Sequence, residues 1–425
     1  MDYLKVFEKC SELATLSTYG TLDKQDIVGV RFLVIGISPS LIFKEDNIIK
    51  FHNAVDNVWN NDTNGKSCDN IKSYNSLYYL SRDTIEKYIV KVIISIHTHG
   101  QDKTRNDEEL KNQWNEILNK QISEYYVCFP IYGLNVNETT EFGAFKLFNA
   151  TDYQKFLMEN NFSFNEVNTD LNYLMMTISA KDYNRAIELS RPYFELFEYA
   201  AKFILHFLPA QKYFDVGIFR YNDWHTFSGY AISKDNFSGI INFEHNGAFE
   251  NIAVQKLKTL PYAQQIWDLI SHHISGENNY MEDCVINAIR CVGTAISENS
   301  DLSSYIQCFF AIETLLKFKN REGFITPSVS YKISEYAAFI LGENSQPNTV
   351  DKKSYRKKIF NDMKELYRTR SRIAHGSIHS INKAELAKVY SFAYKIIFTI
   401  LQNQELLKLN SDKELQEWIE DKKFM

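Results

Sequence analysis

The chain has 425 residues, 44% of them hydrophobic and 24% charged, with a formal net charge of −6 at pH 7. That length accommodates two or three domains with enough apolar content for a core, and the composition excludes a disordered, collagen-like or disulfide-dense chain. A net negative charge excludes a generic polyanion binder, so any basic surface must be local.

The six cysteines are Cys10, Cys68, Cys128, Cys284, Cys291 and Cys308, and none forms a Cys-x-x-Cys pair. Reduced, mostly buried thiols are expected, not a disulfide framework or a zinc site. The N-terminal stretch MDYLKVFEK is charged and amphipathic and lacks a signal-peptide core. The most apolar runs, Val92–Ile96 and Ile396–Leu401, are too short to span a bilayer. A soluble, cytoplasmic protein with no membrane association is expected.

From about Val28 to Phe243, β-rich runs alternate with helical ones. Val28–Ile37, Tyr88–His97, Tyr125–Tyr132 and Leu174–Ser179 are rich in β-branched or aromatic residues and bounded by turn formers, which predicts strands. Asp107–Glu124, Asp152–Asn160 and Arg185–Phe207 have helical spacing. Asp215–Phe243, with three glycines and frequent aromatics, predicts a further small group of strands.

Beyond about Ala248 the pattern becomes almost wholly helical. Predicted helices are Pro261–His273, Met281–Glu298, Asp301–Lys317, Ser328–Leu341, Ser354–His375, Lys383–Gln402 and Asp412–Asp421. Pro261 and Pro327 suit helix starts, and Gly376 sits where a left-handed cap closes a helix. The fold class expected is α+β: a mixed α/β module over residues 1–250, then an all-α antiparallel helical bundle over residues 251–425.

The richest chemistry lies in Leu366-Tyr-Arg-Thr-Arg-Ser-Arg-Ile-Ala-His-Gly376. An imidazole moves a proton near neutral pH, and a guanidinium holds a phosphate and offsets its developing charge. Ser371 and His375 are four residues apart, so their side chains share one helix face. Arg370 is rotated from His375 by about 140° on a straight helix. To meet on one phosphate, either the long Arg wraps round the helix, or the helix end is distorted at Gly376, or a second subunit supplies the missing partner. The bland alternative is a surface Arg and a His⁺ stabilising a helix C-terminus.

Three blocks carry a family resemblance: Ile306-Gln-Cys-Phe-Phe-Ala-Ile-Glu-Thr-Leu-Leu316, Tyr331-Lys-Ile-Ser-Glu-Tyr-Ala-Ala-Phe-Ile-Leu341, and Ile359–Gly376. In this order they resemble the ApeA-like HEPN domains, over roughly residues 280–405. The resemblance implies a metal-independent endoribonuclease that works as a homodimer through the bundle, needs no cofactor, and often serves in anti-phage defence. It implies that Arg370 binds the scissile phosphate and that His375 is the acid or base in attack by the RNA 2′-hydroxyl. Ser371 fills the polar position after the Arg, and Glu313 orients Arg370. The alternative is a non-catalytic HEPN module that binds RNA, a nucleotide or a protein partner. Residues 1–250 resemble no family, and the trigger they would sense is open.

Asp351–Gly376 holds nine Lys and Arg against three Asp and Glu, a local footprint for RNA. Lys364, Arg368 and Arg372 are its candidate RNA contacts, with Tyr367 able to stack on a base or simply pack. His379 lies beyond Gly376 and reads as incidental. His97-Thr-His99 would present two ligands from one strand face, but no carboxylate or thiol pattern completes a metal site. His272-His273 reads as a helix-end feature and Cys128 as core. No phosphate-cradling glycine motif occurs.

Overall fold

The computed structural model describes residues 3–20, 32–35, 40–60, 78–99, 107–162, 170–206, 215–218, 227–233, 237–243, 252–316, 329–343 and 352–424. They form two compact units, neither continuous in sequence. The first comprises residues 1–128, 177–191 and 229–241; the second comprises 129–176, 192–228 and 242–425.

The first unit opens with α1 (Tyr3–Thr15), then β1 (Ser17–Gly20), β2 (Phe32–Ile35), β3 (Ser40–Lys44), α2 (Glu45–Asn60), α3 (Arg82–His99) and α4 (Asp107–Asn119). The strands form an antiparallel sheet in the order β1-β3-β2. Its core includes Val6, Cys10, Phe43, Phe51, Ile89 and Trp114. Helix α3 corrects the strand expected at Tyr88–His97. Its β-branched run is strand-like in composition, yet the most deeply buried residues, Ile85, Ile89, Val92 and Ile93, recur at helical spacing, with Tyr88, Val90 and Ile96 buried beside them.

The chain crosses from one unit into the other within β4 (Ser123–Tyr132). It then forms β5 (Leu134–Asn135), β6 (Thr140–Phe142), β7 (Phe145–Phe148), α5 (Ala150–Glu159), β8 (Asn172–Ala180) and α6 (Tyr183–Leu205). β8 and α6 also contribute to both units, with Pro192 inside α6 at the division. β9 (Gly217–Ile218), β10 (Phe227–Ser233), β11 (Phe237–Phe243) and β12 (Ile252–Ala253) complete the strands. In the second unit β6, β7 and the start of β8 are antiparallel neighbours, and β9 pairs with the end of β4. In the first, β10 pairs with the start of β4, Tyr230 opposite Cys128.

Helices α7 (Lys256–Thr259), α8 (Ala263–Ser275), α9 (Tyr280–Ser297), α10 (Asp301–Leu315), α11 (Val329–Glu343), α12 (Lys352–Ala374), α13 (Lys383–Gln402), α14 (Gln404–Leu407) and α15 (Asp412–Phe424) follow. The predicted α+β class holds: an antiparallel sheet with helices, then a purely helical stretch. The compact units do not follow a single cut near residue 250, because Phe142 and Phe145 pack on Phe197 and Trp267, tying strands before that point to helix α8 after it. Pro327 lies outside the described residues, and Pro261 stands just ahead of α8, whose cap is Tyr262.

The helices start where their sequences allow. Asn279 accepts from the backbone of Met281 and Glu282, and the Glu282 side chain returns to the Asn279 N–H, a capping box. Asn382 caps α13 by accepting from Glu385 N, without the reciprocal backbone bond. Among the described residues no helix is long and apolar enough to cross a membrane.

Candidate functional site

α10 and α12 position the motif. α10 is capped by Ser300, whose hydroxyl accepts from Ser303 N. It buries Tyr305, Cys308, Phe309, Ile312 and Leu315, which leaves Glu313 half-buried on the flank. α12 buries Ile359, Met363, Leu366 and Thr369, spaced by four and three along one face. The Tyr305 hydroxyl donates to the Leu366 carbonyl at 2.9 Å, and Phe309 meets Tyr367 edge to face at 5.8 Å. These contacts fix the rotation of α12 about its axis, which decides where each motif residue points.

Arg370 lies toward the buried side. Its Nη2 donates to Glu313 Oε2 at 3.1 Å, and both side chains are 25% exposed. The guanidinium also stands 5.6 Å from the ring centroid of Phe310, itself 37% exposed. The Arg370 Nε is buried with no hydrogen-bond partner among the described residues, so this cation is held firmly but not fully satisfied.

His375 is exposed, just past the last helical residue, and Ser371 is half-buried one turn before it. The His375 N–H donates to Ser371 O at 3.0 Å, Gly376 N to Ile373 O at 2.9 Å and Ser377 N to Arg372 O at 2.8 Å. With Gly376 at φ +67°, this is the left-handed closure expected of a helix-terminal glycine. The helix runs unbroken to Ala374 and closes on these backbone bonds. Ser371 and His375 share one side of α12, and Arg370 belongs to another.

Of the remaining candidates, Arg368 and Arg372 are exposed and Lys364 and Tyr367 half-buried. Lys352 and Arg356 are bound to Glu343 at 3.3 and 3.1 Å, so part of the basic run is neutralised. Burial acts against it, but Lys352, Lys422 and Arg356 together hold the Glu343 carboxyl below its usual range. Lys388 on α13 takes Asp362 and Glu365, both at 3.0 Å. His379 is exposed beyond the cap.

The weaker candidates settle into structural roles. Positions 97 and 99 lie on a helix, where residues two apart do not face each other, so they cannot form the strand-face ligand pair. His97 Nε2 is 2.9 Å from the Ser17 hydroxyl and its ring stacks on Tyr19. Burial lowers the His97 pKa. His273 Nδ1 meets Asp283 Oδ1 at 2.9 Å at the end of α8. Cys128 is buried in β4, and the five described cysteines are thiols, with Cys68 outside the described residues.

A cavity of about 530 Å³ in the second unit is lined by Lys202, His206, Asp215, Ser297 and Tyr390. Lys202 is buried, and its ammonium reaches Glu198 at 3.0 Å, Asp215 at 3.2 Å and Ser297 at 2.9 Å. Three donors meet three acceptors, so this lysine is a structural cation with nothing left for a substrate. His206 stacks on Tyr390 and Tyr394, with ring centroids 5.1 and 5.3 Å away, and burial pulls its pKa down to about 4.

Sequence reading missed Phe310 and Tyr305. Phe310 stands three residues before Glu313 on the same flank of α10, a spacing that carried the signal. Tyr305 bonds across to another helix, which no local pattern reveals. Comparison of the chain with protein families, curated proteins and solved structures finds no match.

Proposed function

We propose that the helical half is a metal-independent endoribonuclease acting as a homodimer, in which the ends of two α12 helices build one composite site. The supporting observation is the division of labour at the end of α12. Arg370 is clamped by Glu313 on one side, while the exposed His375 and the half-buried Ser371 stand on another. A second copy facing this end brings the His375 of one subunit to the Arg370 of the other.

The reaction follows from those groups. The RNA 2′-hydroxyl attacks the adjacent phosphorus, forming the 2′-O–P bond as the P–O5′ bond breaks. His375 carries a proton in this exchange, Arg370 offsets charge on the phosphoryl oxygens, and Glu313 fixes the Arg370 fork. The products are a 2′,3′-cyclic phosphate and a 5′-hydroxyl end. Lys364, Arg368 and Arg372 contact the strand beside the site. The first unit acts as sensor, and the whole works in the cytoplasm in defence against phage, halting growth of the infected cell.

The test is RNA cleavage in EDTA by wild type and His375→Ala. A loss of about 10²–10⁴-fold is expected, with an unchanged melting curve because His375 is exposed. Undiminished cleavage by the variant rejects the assignment. One observation favours the second reading, a non-catalytic binding module: Glu313 already offsets the charge of Arg370 within one chain. That reading predicts phosphate binding lost in Arg370→Ala without any cyclic-phosphate product.

A further inference from the structure

Helical phase lines up a set of cations on α12. At about 100° per residue, Lys357, Lys364, Arg368, Arg372, Ser371 and His375 fall within about 60° of a single line along the helix. Lys357, Arg368, Arg372 and His375 are exposed, and Lys364 and Ser371 half-buried. No Asp or Glu shares this face. Asp362 and Glu365 lie round the flank, where Lys388 takes both. Lys353 extends the line by one more turn. With a rise of 1.5 Å per residue the row from Lys357 to His375 is about 27 Å long.

Aromatic rings border the row. Phe360 meets Tyr331 of α11 edge to face at 5.2 Å, and Tyr331 is 44% exposed. Tyr367 follows Phe360 by seven residues on the same edge, about 10 Å further along. A line of cations with rings at its side fits a flexible polyanion whose backbone runs along the charges while its bases stack. A duplex keeps its bases paired and away from such rings. A bilayer surface calls for an apolar strip to insert beside the cations, and this face carries no aliphatic residue.

We propose that the outer face of α12, with Tyr331 beside it, is a track for single-stranded RNA that leads to His375. The proposal rests on the ribonuclease reading only for the meaning of its end point. Lys353, Lys357, Phe360 and Tyr331 become binding residues remote from the reacting bond.

The experiment uses the full chain and a labelled 2′-O-methyl oligoribonucleotide of about 16 nucleotides, which lacks the attacking hydroxyl, so binding is read without cleavage. The probes are the single strand, its duplex, and vesicles of phosphatidylcholine with phosphatidylserine. Single-strand binding should exceed the other two. Lys353→Glu with Lys357→Glu should weaken it and make the slope of log K against log salt shallower by about 1.4, or 0.7 for each cation. Tyr331→Ala should cost about tenfold with the slope unchanged. Equal duplex binding, vesicle binding without RNA binding, or an unchanged slope in the double variant each overturns the track. If the single strand binds as expected but unmodified RNA is never cut, the ribonuclease reading falls and the track stands. If RNA is cut and the double variant binds as wild type does, the track alone falls.

Discussion

The Arg370 guanidinium and the Glu313 carboxylate meet at 3.1 Å across two helices, 57 positions apart in sequence. At 25% exposure of each side chain, such a pair contributes at most about 1 kcal/mol to stability. Its larger effect is directional: one fork of the guanidinium is spent on Glu313, and the rest is aimed.

Glu313→Gln is therefore expected to act on turnover. If RNA is cut through Arg370, kcat should fall about 10- to 100-fold from misplacement of the fork, with little change in KM. Glu313→Asp should recover part of the loss. Wild-type kcat in Glu313→Gln would show that Arg370 needs no such support.

Mixing two inactive variants tests the shared site. Arg370→Ala and His375→Ala subunits, combined in equal amounts and allowed to exchange, should regain about a quarter of wild-type activity, since half the dimers are mixed and each keeps one of the two Arg370–His375 pairings in its shared site. No recovery after verified exchange means that each site is built within one chain.

The cap at the end of α12 predicts a contrast between two glycines. Gly376 has φ +67° and open space where a Cβ would stand, so Gly376→Ala costs only backbone strain, about 1 kcal/mol. Gly293 in α9 has Tyr199 Cβ 2.4 Å from the position of an added Cβ, so Gly293→Ala should cost more, about 1–3 kcal/mol. Urea midpoints for the two variants give the comparison. A larger loss at Gly376 would contradict the open surroundings of the cap.

His206 links stability to acidity. Burial lowers its pKa from 6.5 to about 4, so the folded protein keeps it neutral while the unfolded chain protonates it below 6.5. Its contribution is complete above pH 6.5, shrinks as pH falls from 6.5 toward 4, and levels off below that. The full loss amounts to at most about 3 kcal/mol. Urea unfolding of wild type and His206→Gln at pH 7 and pH 4.5 should show a smaller pH-dependent loss in the variant. Parallel losses would place the acid sensitivity elsewhere.

Much of the helical half was legible because amphipathic periodicity and caps agree there. Lys383 and Gln402 bound α13 as predicted, and α12 begins two residues before the predicted Ser354. The first unit was harder. Ile89, Val90, Val92, Ile93, Ile94 and Ile96 have the composition of a strand, and only their burial spacing reveals the helix. Helix α2 went unpredicted altogether. At the site, the angular separation of Arg370 from His375 follows from helix geometry, and α12 continues as one helix to Ala374, just before His375. What holds Arg370 in place is tertiary. The resemblance pointed to Glu313, whereas the Phe310 ring and the Tyr305 hydroxyl emerge only when α10 and α12 are packed.

The interleaving of the two units has a consequence for synthesis. The second unit begins at residue 129 yet includes the last helix, and the first closes only with residue 241. Neither can finish folding while the ribosome is still extending the middle of the chain. A polypeptide cut short before α12 carries neither Arg370 nor His375, and one starting at residue 250 leaves Trp267 without Phe142 and Phe197 to cover it. Both the motif and its support come together only once α12 has been made, so if the ribonuclease reading holds, RNA cleavage cannot begin before that helix emerges.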